Sequence, residues 1–233
     1  MPALPDHGAA AHVFVPDLER PHLDEGDRRH LTQVLRLRPG ELVTAADGTG
    51  RWRRCRVGPG GRLEVVGDVE VAAAPRPALT VAIALTKGNR PELAVQKLTE
   101  LGIDRVVPFL AARSVARWDG ERADRHLRRL RRVAREASMQ CRRAYLPEVT
   151  DLTDFDGAAG LPGAALTSLG GEPPTLDRPT LLVGPEGGWS DEERSRALPE
   201  VGLGPHVLRA ETAAIAAATL LSALRCGVAA PAR

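Results

Sequence analysis

Apolar positions occur in short runs over the first third of the chain, from Ala11 to about Val71. Turn sequences at Asp47-Gly48 and Gly58-Pro59-Gly60-Gly61 separate these runs, a pattern typical of short strands joined by tight turns. Strands are predicted in HVFVP, ELVTAADG, RWRRCRVGPGG and RLEVVGDVEV, and one short helix in DEGDRRHLTQVLRL. The pattern predicts a small β-barrel domain over residues 1–72, followed by a proline-containing linker, AAAPRPA, at residues 72–78.

After the linker, buried strands alternate with amphipathic helices. LTVAIALTKG and IDRVVPFLA are predicted strands, and between them lies a helix, RPELAVQKLTELG, with Pro91 at its start and Gly102 at its end. Further strands are predicted at residues 165–169, 180–184 and 206–209. This alternation predicts an α/β domain with a mostly parallel sheet over residues 73–233.

The last predicted helix, ETAAIAAATLLSALRCG, is small or apolar at almost every position from Ala213 to Leu224. A helix without a polar face is expected to be buried on more than one side. Either the core of the domain or a second subunit could cover it.

A second predicted helix, ERADRHLRRLRRVAREASMQCRR, is strongly amphipathic. Its apolar face comprises Ala123, Leu127, Leu130, Ala134, Ala137 and Cys141. The other faces carry Arg125, Arg128, Arg129, Arg132 and Arg135. Two interpretations stay open: a solvated surface helix, or a surface that contacts phosphates.

Composition narrows the function classes only slightly. A net charge of +2 and a pI near 8.6 do not indicate a nucleic-acid partner by themselves, because the location of the charges decides. Lysine occurs only at Lys87 and Lys97, and we attribute the many arginines mainly to a GC-rich genome. The cysteines, Cys55, Cys141 and Cys226, are too far apart to predict a disulfide framework or a metal site.

No membrane-spanning segment is predicted. The first 17 residues lack the basic start and apolar core of a leader peptide, and no stretch approaches the roughly 20 apolar residues that cross a bilayer. We therefore expect a cytoplasmic protein without a membrane partner.

The segment LLVGPEGGWSDEE, residues 181–193, combines a buried strand, a glycine-rich turn and a helix start. Such a turn offers backbone N–H groups and the positive end of a helix to a ligand. It matches neither the dinucleotide-binding pattern nor the P-loop, so both of these nucleotide sites are disfavoured. Ser190 and Glu193 have capping-box spacing, which explains the helix start but not the carboxylate of Glu186 at a strand end.

A second strand-to-helix corner follows in HVLRAETA, where a buried strand is predicted to end at Arg209. Glu211 and Thr212 then begin the alanine-rich helix. If the two strands are neighbours, the two corners bring acidic, basic and backbone groups together.

These motifs, GPEGGWS and VLRAETAA, together resemble the paired C-terminal motifs of SPOUT methyltransferases, which modify RNA with S-adenosylmethionine. KGNRPELAVQKLTELGI, RSV and EASMQCRRAYLPEV are similar to the RsmE type of this class. HLTQVLRLRPGE followed by DG is similar to the entry motif of its N-terminal PUA-like β-barrel. The resemblance covers almost the whole chain, with five separated motifs in the expected order.

The resemblance implies S-adenosyl-L-methionine-dependent methylation of uracil N3 at one uridine of 16S rRNA, near the decoding centre of the small ribosomal subunit. It also implies a C-terminal trefoil knot over about residues 164–226 and a homodimer formed through the knotted domain. Two other functions stay open: methylation of another RNA such as tRNA, and an inactive RNA-binding role in ribosome assembly.

The resemblance also carries site residues. Cofactor-binding positions are Leu166, Thr167, Leu169, Gly184, Pro185, Glu186, Gly187, Gly188, Val207, Leu208, Arg209, Thr212 and Ala213. Catalytic candidates are Arg209, to face the carbonyl oxygens of the imide, and Glu211, although a first-turn acid also suits a helix dipole. RNA-binding candidates are Arg36, Arg38, Lys87, Arg90, Arg113, Gln140, Arg142 and Arg143.

The chain departs from the family pattern at two positions. Trp189 stands where phenylalanine is usual, which keeps an aromatic ring in place. Met139 stands where relatives commonly have an acid. If that acid normally orients Arg143, we expect an altered RNA site but an unchanged cofactor site.

Overall fold

The computed structural model describes residues 8–230, so the outer ends of the two predicted domains, 1–72 and 73–233, lie outside the described residues. Within the described part, the chain divides into two compact units. The first comprises residues 8–75 together with 136–146, and the second comprises residues 76–135 together with 147–230.

A five-stranded sheet forms the framework of the first unit. Its strands are β1 (Ala11–Phe14), β2 (Leu42–Ala46), β3 (Arg51–Val57), β4 (Leu63–Val65) and β5 (Glu70–Val71). β1 pairs parallel with β2, and the remaining pairs are antiparallel. A short helix, α1 (Glu25–Arg29), continues into a π-helix at His30–Val34. The predicted short helix is therefore confirmed.

The predicted strand RLEVVGDVEV is in fact two strands, β4 and β5, which both pair with β3. The chain leaves the sheet between them because the N–H groups of Val66 and Gly67 both donate to the carbonyl of Arg54, at 3.1 and 3.3 Å. Two successive donors on one acceptor break the ladder in the manner of a β-bulge.

The segment 136–146 completes the first unit. The Nε2 atom of His12 lies 3.0 Å from the carbonyl oxygen of Arg143, and the Tyr145 hydroxyl donates to the carbonyl of Ala72 at 3.1 Å. Met139, which replaces the acid of the family pattern, is half-buried and packs against both hydrophobic clusters of this unit. An apolar side chain therefore suits its surroundings.

A seven-stranded parallel sheet forms the second unit, which confirms the predicted parallel arrangement. Its strands are β6 (Thr80–Ala84), β7 (Arg105–Leu110), β8 (Glu148–Val149), β9 (Thr153–Asp154), β10 (Ala164–Glu172), β11 (Thr180–Val183) and β12 (Glu200–Val201). The order across the sheet is β12-β10-β11-β6-β7-β8, and β9 also pairs with β7.

Helices cover both faces of this sheet. They are α2 (Arg90–Glu100), α3 (Gly120–Gln140), α4 (Phe155–Ala159), α5 (Asp191–Ser195) and α6 (Ala210–Arg225). Residues of α2, α3 and α6 share one apolar cluster with alternate residues of β6, whereas α4 and Trp189 belong to the cluster on the other face. The alternation of inward positions follows from the two-residue period of a strand.

The prediction of a strand at residues 206–209 is wrong. The sheet instead gains the two-residue strand β12, in which Val201 is fully buried beside β10. The segment 202–209 is a loop, in which Val207 is 86% exposed and Leu208 is half-buried. The two corners consequently do not lie on neighbouring strands, because β10 separates β12 from β11.

Two helix predictions need refinement. In the predicted apolar face of α3, Leu127, Leu130, Ala134 and Ala137 are buried, whereas Ala123 and Cys141 are half-buried. The helix ends at Gln140, before Cys141, and Arg142 has a positive φ of 58°. In α6 burial is complete only along a stripe of four residues, Ala214, Ala217, Ala218 and Leu221. The expected burial on several sides is therefore not provided by this chain alone.

Over residues 8–230, no helix combines the length and the apolar character needed to span a membrane.

Candidate active site

The glycine-rich corner after β11 is held by a buried carboxylate. Glu193 is 4% exposed, and its Oε2 accepts from the N–H of Ser190 at 2.7 Å, while the N–H of Glu193 donates to the Ser190 hydroxyl at 3.2 Å. This is the predicted capping box at the start of α5. The second oxygen, Oε1, accepts from the N–H of Ala112 at 2.8 Å. One side chain thus fixes the corner to the loop that follows β7.

Trp189 fixes the same corner from the other side. Its indole N–H donates to the carbonyl of Thr167 at 2.9 Å, and its ring stacks on Phe109 with centroids 6.2 Å apart. A Cβ atom at Gly184 would lie 3.0 Å from the indole ring. A side chain at position 184 would therefore press on the indole ring, and the tryptophan would have to shift by a few tenths of an ångström.

A cleft of about 210 Å³ opens between the middle of β10, the loop that follows β11 and the loop that precedes α6. It lies at the carboxyl edge of the parallel sheet, where α/β sheets bind ligands. Predicted cofactor positions that line the cleft are Thr167, Leu169, Gly184, Pro185, Glu186, Gly188, Val207, Leu208 and Ala213.

Four predicted cofactor positions do not line this cleft. Leu166 is buried in the core, and the carbonyl of Gly187 accepts from Nη1 of Arg113 at 3.1 Å. Arg209 and Thr212 are exposed at the start of α6. Lining residues that the sequence did not indicate are Ser168, Val183, Trp189, Arg194, Leu203, Gly204, His206 and Ala210.

The backbone of β10 and the residue that follows β12 approach closely at a pair of glycines. A Cβ atom at Gly171 would lie 2.7 Å from the backbone nitrogen of Gly202, and one at Gly202 would lie 2.6 Å from the carbonyl oxygen of Gly171. No other residue fits at either position without movement of the backbone. Glycine inside a strand pattern, as in LGGE, is the sequence signal that could have indicated this approach.

The catalytic candidates lie at the start of α6. Arg209 is the N-cap residue and is exposed, so its guanidinium is available to a substrate. Glu211 is 15% exposed, and its Oε2 is buried without a hydrogen-bond partner among the described residues. A small pocket that adjoins the cleft, with Val183 and Ala210 lining both, contains Glu211 together with Thr86 and Arg90.

Arg90, predicted to contact RNA, forms an ion pair with Glu186 at the corner. Its Nε also lies 4.0 Å from Oε1 of Glu211. Both pairs are partly exposed, so each contributes little to stability. Their effect is geometric, because one guanidinium links the corner after β11 to the start of α6.

The other RNA candidates are divided between the two units. Arg36, Arg38 and Gln140 are exposed in the first unit, and Lys87 is exposed in the second. Arg142 donates from Nη2 to the carbonyl of Ala9 at 2.5 Å, and Arg143 donates from Nε to the carbonyl of Tyr145 at 3.2 Å. The last two arginines therefore have structural contacts within the first unit.

Two regions of the chain match protein families. Residues 74–222 match the family described as RNA methyltransferase domain, and residues 23–70 match the family described as RNA methyltransferase PUA domain. The chain belongs to this family of RNA methyltransferases.

Relatives within the family carry a more specific name. The chain is 39% identical to the ribosomal RNA small subunit methyltransferase E of Mycobacterium tuberculosis (strain CDC 1551 / Oshkosh), over 92% of this chain and 86% of that protein. It is 29% identical to the protein of the same name from Bacillus subtilis (strain 168), over 83% of this chain and 86% of that protein.

Solved structures agree with the fold. A ribosomal RNA small subunit methyltransferase E from Neisseria gonorrhoeae, bound to S-adenosyl methionine, is 26% identical, with a TM-score of 0.78 over 92% of this chain and 97% of that chain. A Legionella pneumophila methyltransferase in complex with the cofactor SAM is also 26% identical, with a TM-score of 0.79 over 91% and 96%. The predicted fold class, a SPOUT-type α/β domain preceded by a PUA-like domain, is confirmed.

Proposed function

We propose that the chain binds S-adenosyl-L-methionine in the cleft and methylates uracil N3 at one uridine of 16S rRNA in the small ribosomal subunit. The observation that carries this proposal is the cleft itself, built from β10 and two loops at the carboxyl edge of the sheet in a chain of the RNA methyltransferase family. The names of the relatives support the ribosomal substrate.

The residues of the cleft fit the proposed cofactor. Leu169 and Val207 are 60% and 86% exposed and offer apolar surfaces to an aromatic base. Gly188 has a φ of 68° and no atom within 4 Å of a Cβ position, so the backbone there is open to a ligand. When bound, the sulfonium group supplies an electrophilic methyl group.

The chain's own residues must handle the proton on N3. Glu211 has a carboxylate oxygen without a hydrogen-bond partner among the described residues, as a proton acceptor requires. Arg209 can face the carbonyl oxygens of the imide and stabilise their negative charge as the proton leaves. Arg90 contacts both Glu186 and Glu211, so we assign it to positioning of the two corners and not only to RNA contact.

The proposal includes three further features. A trefoil knot comprises about residues 164–226, and a homodimer forms through α6, whose sides outside the buried stripe are not fully covered in one chain. The PUA-like domain, residues 1–72, holds the RNA, and residues 73–233 form the methyltransferase domain. A ribosomal RNA substrate implies a cytoplasmic enzyme.

The first test combines the purified protein with labelled S-adenosylmethionine and small ribosomal subunits from cells that lack this activity. We expect the label in 3-methyluridine at one site of 16S rRNA. Cofactor binding without transfer to the subunit would refute this substrate. Transfer to tRNA would then indicate the alternative enzyme, and no transfer to any RNA would indicate an assembly factor.

The second test separates catalysis by Glu211 from a helix-dipole role. We expect Glu211→Gln to lower the rate of methyl transfer about 10²- to 10⁴-fold with unchanged cofactor affinity. The matched control is Glu192→Gln, which removes an exposed first-turn acid from α5. If both substitutions lowered the rate of methyl transfer equally and only slightly, Glu211 would have no catalytic role and would only interact with the helix dipole.

A further inference from the structure

Arg125, Arg128 and Arg132 lie on one side of α3, opposite its buried face. Their spacing of three and four residues places them on adjacent turns, and all are exposed. Within residues 8–230 none of them forms an ion pair or a side-chain hydrogen bond, so their guanidinium groups are available to a ligand. We call these residues the basic stripe.

Other arginines of α3 serve the fold. Nε of Arg129 lies 3.1 Å from Oε1 of Glu92, and Arg131 donates to the carbonyl of Val149 at 3.0 Å and to Asp151 at 2.6 Å. The structural contacts of the helix are thus made by neighbours of the basic stripe. The stripe itself has no comparable structural role.

Acidic residues of α3 do not occupy the stripe. Glu121, Asp124 and Glu136 are each four residues from a stripe arginine, but no pair comes within 4.0 Å. An exposed pair at this spacing would be weak in any case, so these carboxylates leave the stripe accessible to a phosphate.

The stripe begins at the edge of the sheet that carries the cleft. α3 follows the loop after the carboxyl end of β7, and the Arg129–Glu92 ion pair fixes it to the first turn of α2. In the same turn, Arg90 pairs with Glu186 at the glycine-rich corner. From Arg125 to Arg132 the stripe then extends about 10 Å along the helix.

We propose that the basic stripe binds the phosphate backbone of the substrate RNA beside the target nucleotide. The proposal rests on the proposed function, because it assumes an RNA substrate at the cleft. Planar guanidinium groups match phosphate oxygens and orient RNA without reading its sequence. The stripe therefore contributes to the affinity for RNA and to its position along the protein surface, whereas the base is selected at the cleft.

The test is the salt dependence of binding to 16S rRNA. Affinity falls as salt rises, and each lost phosphate contact reduces the magnitude of the slope of log affinity against log salt by about 0.7–0.9. We therefore expect the magnitude to decrease by about 2–3 in the triple variant Arg125→Gln, Arg128→Gln, Arg132→Gln. The single substitution Arg128→Gln should reduce the magnitude of the slope by about 0.7–0.9, the value for one phosphate contact. Its matched control, Arg131→Gln, changes the net charge equally but should leave the slope unchanged.

Unfolding curves of all variants ensure that the slopes refer to folded protein. An unchanged slope in the triple variant, or equal decreases for Arg128→Gln and Arg131→Gln, would overturn the proposal. Methyl transfer by the unsubstituted protein is measured in parallel. If the unsubstituted protein methylates the subunit while the substitutions leave the salt slope unchanged, only the proposal for the basic stripe is refuted. If the unsubstituted protein transfers no methyl group, the proposed function itself is refuted.

Discussion

Burial of His12 makes the stability of the first unit dependent on pH. The side chain is 2% exposed, with Nδ1 2.8 Å from the Thr44 hydroxyl and Nε2 3.0 Å from the carbonyl oxygen of Arg143. A carbonyl only accepts, so Nε2 donates; in the neutral ring, which burial favours, Nδ1 accepts from the hydroxyl. Removal from water lowers the pKa of His12 from 6.5 to about 4, and the positive charge of Arg142 acts in the same direction.

The sign and size of the effect follow from this pKa. Between pH 6.5 and 4 the unfolded chain binds a proton at His12 that the folded chain does not bind, so stability falls as the pH falls. The free energy of unfolding should decrease by about 3 kcal/mol on going from neutral pH to pH 4 through this residue.

The assay is urea unfolding at pH 7 and at pH 4 for the unsubstituted protein and for His12→Gln. Other groups also titrate in this range, so the informative quantity is the difference between the two proteins. We expect the variant to be less stable at pH 7 but to lose about 3 kcal/mol less on acidification. His22→Gln, at an exposed histidine, is the control. Parallel losses in the unsubstituted protein and His12→Gln would refute the reasoning.

Two further predictions concern Glu193 and the cysteines. In Glu193→Gln the new amide NH₂ must face the N–H of either Ala112 or Ser190, and a buried unpaired donor costs about 1–3 kcal/mol of stability. Calorimetry should show weaker S-adenosylmethionine binding by this variant. Unchanged affinity would exclude a role of Glu193 in positioning the glycine-rich corner. Burial raises the pKa of Cys55 to about 11, whereas Cys226 is exposed. A disulfide reagent at neutral pH should therefore modify Cys226 in the folded protein and Cys55 only after unfolding; rapid labelling of Cys55 in a Cys226→Ser variant would contradict this.

The fold could be predicted from the sequence where the pattern of hydrophobic and polar residues extends over many positions. The helix that became α2 begins at Arg90 with Pro91 in its first turn, close to the predicted start, and Gly102 follows it with a φ of 88°, which glycine adopts without strain. The strand at the sheet edge could not be predicted, because β12 has only two residues and thus no period. The apolar run that includes Val207 indicated a strand there, but its exposure shows that the run belongs to the cleft and not to the core.

The candidate site could be predicted only in its local parts. The capping box of Ser190 and Glu193 depends on residues three positions apart, so spacing reveals it. The contact of Glu193 with Ala112 and that of Arg90 with Glu186 join residues 81 and 96 positions apart. No local pattern encodes such distances, and an arginine reserved for an ion pair looks the same in sequence as one that faces solvent.

The division of the chain has a practical consequence for dissecting the enzyme. The first unit uses residues 136–146, which follow 60 residues of the second unit along the chain. A fragment that stops at Pro75 would lack the carbonyl of Arg143 that His12 contacts and the hydroxyl of Tyr145 that donates to Ala72. The first unit cannot be isolated by a single cut, and a fragment for binding studies needs residues 136–146 rejoined to it, for example by circular permutation or a designed linker.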